Sequence, residues 1–441
     1  MSLQLTVNGF DYSVNKKDEY LGSRKVMKEE IKQLIVDLTK ALISVKPLVN
    51  ALEQSVRVST VLKGKFTSDL SSFNSSTNCL QMKDLLNKIT ARIDMRPLEF
   101  CPEIVHNMTT FEHVVSNRLA TTLDWSKLQA SMKLLSNLDK TKMDKIIDEI
   151  VDEIVDETVD NSLKSYFQHS EVTSFDNASL KAYAGGVTNG KVVVIVPPCG
   201  MPFELCEQWL RYLSQEHYVI TWESRGLFGK TDNFDALNYD VASQAKDLFA
   251  IMNHFKIDCA HVMGLCGGAA IALTAASLEP ERVSSLSLWH GDFELGNNSQ
   301  KTRYQKDLQA LMSMAGNNRT QAASLQKLFT QPSILENIPA NLAHLVLYPY
   351  TTGELLFRYG KLNGNIMTAE IIPILDKVSQ PTLVVTSKND TTAHPEGSLY
   401  VADKLSNATL HTELHGSHIS LFDAESNITK LATKFICDQA L

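Results

Sequence analysis

The pentapeptide Gly264-Leu265-Cys266-Gly267-Gly268 constrains the fold of this chain more than any other stretch. It follows the apolar run Ala260-His261-Val262-Met263 and opens a small-residue segment, Gly268 through Ser277, so it reads as a strand-to-helix corner. A Gly-x-nucleophile-x-Gly pattern in that setting holds the central side chain on a strained turn, where only glycine-sized neighbours let the backbone pass. The central residue here is a cysteine. Its thiolate attacks acyl groups and leaves a thioester, a more reactive intermediate than an ester. The plainer alternative, a small buried residue at a helix start, leaves the flanking glycines without a reason.

The surrounding texture fits such a corner. After about Ser170, β-rich runs alternate with helical ones: strands are expected at Ser179 to Gly185, Lys191 to Val196, Tyr218 to Trp222, Ala260 to Met263 and Val283 to Trp289. Helices are expected at Glu204 to Ser214, Val241 to Phe255 and Gly268 to Leu278. This alternation implies crossover connections and a mostly parallel sheet. A mainly helical insertion, roughly Phe293 to Leu375, precedes the next strand at Pro381 to Ser387. An insertion there sits where a substrate lid would cover the carboxyl ends of the strands.

Two further groups complete an acyl-transfer pattern, in the order nucleophile, acid, histidine. Asp390 follows the strand Thr382 to Ser387, and His418 follows the run Ala408 to Leu414 in Gly416-Ser417-His418-Ile419. A base must touch the nucleophile and an acid must fix the base's tautomer. Asp292, in His290-Gly291-Asp292, is the rival acid, and His394, His411 and His415 compete with His418. An oxyanion hole needs two aimed backbone N–H groups. Gly267, directly after the nucleophile, supplies one, and the loop Pro197-Pro198-Cys199-Gly200-Met201-Pro202 the other, from Met201 or Gly200. Cys199 reads as a loop residue, since no base stands beside it; a second nucleophile or a redox partner of Cys266 is the alternative.

From about Glu171 onward these motifs resemble the α/β-hydrolase superfamily. The likeness rests on the Pro198 to Pro202 loop, the turn Glu223-Ser224-Arg225-Gly226-Leu227-Phe228-Gly229, the Cys266 elbow, Asp390 and His418. Cys266 replaces the superfamily's usual serine, and Cys199 stands where many members carry histidine. Cysteine elbows recur in some thioesterase domains of polyketide and nonribosomal-peptide pathways and in polyhydroxyalkanoate synthases. Ile195 to Pro198, Val283 to Leu288 and the elbow look somewhat like the polymer synthases. The resemblance implies an α/β-hydrolase fold with a helical lid for residues 169–441; residues 1–168 read from their spacing as an all-helical N-terminal domain.

The N-terminal third resembles no family. Apolar residues recur at helical spacing in Ile31, Leu34, Ile35, Leu38 and Leu42, and no glycine occurs between Lys65 and Asn161. Breaks are expected at Ser68 to Asn78 and at Asp94 to Pro102. The near-repeat within Asp144 to Asp160 reads as a solvated helix face; an acidic docking surface or a metal-binding helix is the alternative.

A net charge of -8 speaks against a nucleic-acid partner. Met1 to Tyr20 lacks the apolar core of a signal or a span, and Cys437 is out of register for prenylation. Seven cysteines without a Cys-x-x-Cys pair fit reduced thiols in a cytosol better than disulfides or a zinc site, so Asn318-Arg319-Thr320 is a chance glycosylation match. The expected enzyme is a cytoplasmic acyltransferase or thioesterase acting on an acyl thioester of coenzyme A or of a carrier-protein phosphopantetheine. Its acceptor would be an alcohol, an amine or water, with no metal or redox cofactor called for. A polymerising synthase and a catalytically silent scaffold are the other readings, and association between copies stays open.

Overall fold

Strands such as Ala260–Leu265 and Thr382–Ser387 are buried at every residue, and such strands need cover on both faces. The computed structural model, which describes residues 16–59, 76–101, 107–122, 140–422 and 426–439, supplies that cover with helices. The chain divides into two compact units, one built mostly from the N-terminal helices and one from Asp160 onward with two short pieces of the N-terminal region.

The larger unit is built on an eight-stranded sheet. Its strands are β1 Gln168–Thr173, β2 Ser179–Gly186, β3 Val192–Val196, β4 Tyr218–Trp222, β5 Ala260–Leu265, β6 Val283–Trp289, β7 Thr382–Ser387 and β8 Ala408–Glu413. Their spatial order is β8-β7-β6-β5-β3-β4-β2-β1. The β1–β2 and β2–β4 pairs are antiparallel and every other pair is parallel. Strand order reverses between β3 and β5, which opens a crevice at the carboxyl ends of the sheet. The helices are α1 Glu207–Leu213, α2 Val241–His254, α3 Gly268–Leu278, α4 Arg303–Asn317, α5 Arg319–Gln326, α6 Gly353–Thr368, α7 Pro395–Lys404 and α8 Ser426–Asp438.

This is the α/β-hydrolase architecture the motifs imply. β1, which the alternation of runs did not single out, has only one buried residue, Val172, so its sequence lacks an apolar signal. α3 packs closely because its buried face is alanine: Ala269, Ala272, Ala275 and Ala276 are inaccessible. The insertion is helical as expected, carrying α4, α5 and α6. Helices α4 and α6 cross at Gly316 and Gly360, where a Cβ on Gly316 would meet the Gly360 carbonyl carbon at 2.8 Å. Arg225, from the Glu-Ser-Arg-Gly turn after β4, is buried and bonds Asp176 at 2.7 Å and Asp247 at 2.7 Å.

In the N-terminal region the described helices are Lys16–Ala51, Ser76–Arg92, Thr110–Thr122 and Lys140–Asp160. The region is not wholly helical, because Val56–Ser59 and Leu98–Cys101 form a two-stranded sheet. Val56, Val58, Leu98 and Phe100 face inward at period two, a signal that four residues are too short to announce. The second strand lies within the connection expected at Asp94 to Pro102. Most of the break expected at Ser68 to Asn78 falls outside the described residues. The acidic run buries Ile150, Val151, Ile154 and Val155, and its carboxylates hold basic partners: Arg92 reaches Asp156 at 2.8 Å and Asp152 at 3.6 Å, and Lys88 pairs with Asp148. Exposed pairs of this kind contribute about 0–1 kcal/mol each.

Candidate active site

β5 runs into α3 through Cys266, whose φ of 53° lies in the left-handed region. A non-glycine residue there is strained, and persists only where its surroundings over-determine it. Two hydrogen bonds do so: the Cys266 N–H donates to Trp289 O at 2.9 Å, and the Cys266 carbonyl accepts from Ala269 N at 3.0 Å. The flanking glycines are a steric necessity. A Cβ on Gly264 would stand 2.6 Å from Ala269 Cα, and one on Gly268 2.9 Å from Pro197 O and closer still to Val196 O.

Loops after β7 and β8 bring the other two groups to this turn. His418 begins a single 3-10 turn, His418–Leu421, and its Nδ1 lies 2.9 Å from Asp390 Oδ2. The Cys266 sulfur is the largest influence raising the same ring. Asp390 is fixed on its other oxygen, where Oδ1 accepts from the N–H groups of Thr392 and Ala393 at 2.8 Å each. Burial would raise the Asp390 carboxyl, but the bonds from His290 and His418 outweigh it and hold the group well below the usual carboxylate range. For His418, burial pulls down while the Cys266 sulfur and Asp390 push up, and the push wins, at about 10. The ring therefore holds a proton more tightly than a free imidazole, as a base that must take one from the neighbouring thiol requires.

Asp390 serves a second histidine that the sequence reading passed over. His290 Nδ1 lies 2.9 Å from the same Oδ2, and His290 Nε2 lies 3.2 Å from Glu413 Oε2. His290 is inaccessible, at φ 48°, one residue beyond β6. Both its nitrogens face carboxylates, which fixes the ring between the ends of β7 and β8. Glu413, the last residue of β8, also accepts from Ser420 Oγ at 3.4 Å. Donor atoms of His290, Asp390 and His418 lie within 4.8 Å of one another, but the carboxylate oxygen is already hydrogen-bonded to both rings.

The rival acid is differently employed. Asp292 Oδ1 accepts from Gln305 Nε2 at 2.6 Å, and burial raises its carboxyl. It is not hydrogen-bonded to His418, which corrects the alternative assignment. The loop after β3 gives a second correction: the Gly200 N–H is donated to Ser224 Oγ at 2.9 Å and is not free for a ligand. The Met201 N–H makes only a long turn contact of 3.4 Å to Pro198 O. Gly267 stands at the head of α3, where first-turn N–H groups have no partner within the helix. Cys199 is buried, and burial pushes its thiol up to about 12 against a hydrogen bond from Ser224, so it stays protonated at neutral pH.

The helical insertion lies against this turn. A Cβ on Gly267 would touch Ile366 Cγ2 at 3.5 Å and Asn363 Oδ1 at 3.8 Å, both from α6. Tyr304, on the first turn of α4, is pushed up to about 12 by burial of its hydroxyl and then by Cys266 and Asp292.

A family model described as the alpha/beta hydrolase fold matches residues 191–425, more than half of the chain. The chain belongs to this family. Among curated proteins it is 25% identical to one of Pseudomonas syringae pv. syringae (strain B728a) named "Putative carbamate hydrolase RutD", over 48% of this chain and 80% of that one. A protein of the same name from Stutzerimonas stutzeri (strain A1501) is 23% identical over 52% of this chain and 84% of its own. Among solved structures, MGS-M2, an α/β hydrolase enzyme from a Medee basin deep-sea metagenome library, superposes with a TM-score of 0.51 at 20% identity, covering 62% of this chain and 98% of that one. No helix among the described residues is long and apolar enough to cross a membrane.

Proposed function

We propose that this hydrolase-fold enzyme is a cysteine-dependent acyltransferase or thioesterase that takes its acyl group from a thioester of coenzyme A or of a carrier-protein phosphopantetheine. The observation that carries the reading is a thiol, rather than a hydroxyl, on the strained turn, beside an imidazole that the Cys266 sulfur and then Asp390 make more basic, its Nδ1 fixed on Asp390. A thiol nucleophile suits a thioester donor, because exchange between two thioesters is nearly balanced and the acyl group stays reactive for a second acceptor.

In this mechanism His418 takes the Cys266 proton, and the thiolate attacks the thioester carbonyl. The carbonyl oxygen gains charge between the N–H groups of Gly267 and Met201. The carbon–sulfur bond to the donor breaks, and the departing thiolate takes the proton back from His418. His418 then deprotonates an alcohol, amine or water, which displaces Cys266 and releases the product. Asp390 holds the imidazole throughout, and His290, itself held by Glu413, holds Asp390.

A second reading comes from the RutD relatives, whose name points to carbamate hydrolysis; there the acyl group is a carbamoyl and the acceptor is water. One experiment separates the two. Incubation with acyl-coenzyme A, acyl-carrier thioesters and simple carbamates, followed by intact mass, should give an adduct on Cys266 with the thioesters and none in Cys266→Ala. An adduct only with carbamates selects the second reading. An adduct that survives Cys266→Ala, or none from any donor, overturns the assignment and leaves a silent scaffold. Adding amines, alcohols, hydroxyacyl groups or water to the trapped species distinguishes transfer, polymerisation and hydrolysis.

A further inference from the structure

At the opposite end of the sheet, a buried histidine has no partner. His217, just before β4, is 3% exposed, and neither ring nitrogen has a hydrogen-bond partner. A buried polar group left this way needs a reason, and a missing ligand is one of the few available. The neighbours supply a donor set: a carboxylate oxygen of Glu216, a ring nitrogen of His217 and the Sγ of Cys437 all lie within 4.8 Å of one another. We propose that Glu216, His217 and Cys437 bind a borderline-soft divalent cation, zinc by preference.

One sulfur, one imidazole nitrogen and one carboxylate oxygen match zinc and exclude calcium or magnesium, which take oxygen ligands. The donors stand on fixed backbone. The His217 N–H donates to Leu213 O at 2.9 Å, and its carbonyl accepts from Val187 N at 3.0 Å. Cys437 lies on the last turn of α8, anchored by the buried Ile428, Ala432 and Ile436. Lys191 does not compete for the ring, because its ammonium is spent on the carbonyls of Ile436, Cys437 and Gln439. Glu216 and Cys437 are exposed, which gives the ion a way in and lets both side chains close on it. On binding, the Cys437 thiol loses its proton to solvent, and water takes the fourth position. The ion would clasp α8 to the amino end of β4, joining positions far apart in the chain. No Cys-x-x-Cys spacing marks such a site.

The test uses the full-length chain with Cys266→Ser, so that the elbow thiol cannot bind metal. Zinc alone should bind with one-to-one stoichiometry in competition with a chromophoric chelator, and should raise the thermal midpoint. Cobalt in its place should give a thiolate charge-transfer band. Adding Cys437→Ser should abolish the band, the midpoint shift and tight binding, and adding Glu216→Gln should weaken binding; both residues are exposed, so folding should survive. A band that persists through Cys437→Ser, unweakened binding in Glu216→Gln, or no zinc bound at all would overturn the proposal.

Discussion

Replacing Asp390 by Asn is nearly isosteric, yet it should disable the site. The wild-type carboxylate receives four donors: the N–H groups of Thr392 and Ala393 at 2.8 Å on one oxygen, and His290 and His418 at 2.9 Å on the other. An amide offers one acceptor and one donor. With its oxygen toward the backbone, its NH2 meets two ring N–H groups; turned round, it meets two backbone N–H groups. The first arrangement is the cheaper, because an imidazole can change tautomer and a peptide cannot. His418 then carries its proton on Nε2, facing Cys266, and cannot accept one from the thiol. The corresponding change in a serine triad costs about 10⁴-fold in turnover, or roughly 5 kcal/mol in the barrier. Adduct formation on Cys266, followed under single-turnover conditions by quench and intact mass, should slow by that order while circular dichroism is unchanged. A folded variant acylating within about tenfold of wild type, well short of that loss, would refute the tautomer argument.

Other outcomes follow from the same geometry. His290→Gln should slow acylation by about one to two decades, the cost of leaving buried charged groups short of a partner, and should alter its pH profile; a purely structural role would lower stability and leave that profile in place. Gly268→Ala should lower the urea midpoint by an amount equivalent to about 1–3 kcal/mol or more, because the new methyl meets two carbonyl oxygens of the β3 loop, and an unchanged midpoint would contradict the packing. His418 is raised from 6.5 to about 10, so its contribution to stability is complete below pH 6.5 and is lost as pH climbs through 10. Wild-type urea midpoints should therefore fall between neutral pH and pH 10 more steeply than those of His418→Gln, and parallel profiles would count against the pairing.

The elbow was legible because its constraint is local. A side chain at φ 53° between two close backbone approaches demands glycine two residues before and two after it whatever lies elsewhere, and the pattern writes the turn into five letters. The strands were legible for a related reason, since a strand buried on both faces is mostly apolar along its length. Where burial was incomplete the signal faded, as in β1 and in the two short N-terminal strands. Asp390 and His418 could be placed after the right strands from chain order, but nothing in that order excluded Asp292 as a rival acid, whose carboxylate accepts from Gln305.

By itself, the sequence determined the class of fold, the corner that presents a thiol, and the order in which acid and histidine return to it. The tertiary structure decided who holds whom. His290 reaches Asp390, and Glu413 reaches His290, only because the ends of β6, β7 and β8 lie side by side, and Ser224 claims the Gly200 N–H from 24 positions away. His217 stands beside Cys437 only because α8 returns to the amino end of β4. Turn strain and strand burial are properties of a few consecutive residues. Hydrogen-bond partners and donor sets are properties of distances between strands, and no spacing along the chain encodes them.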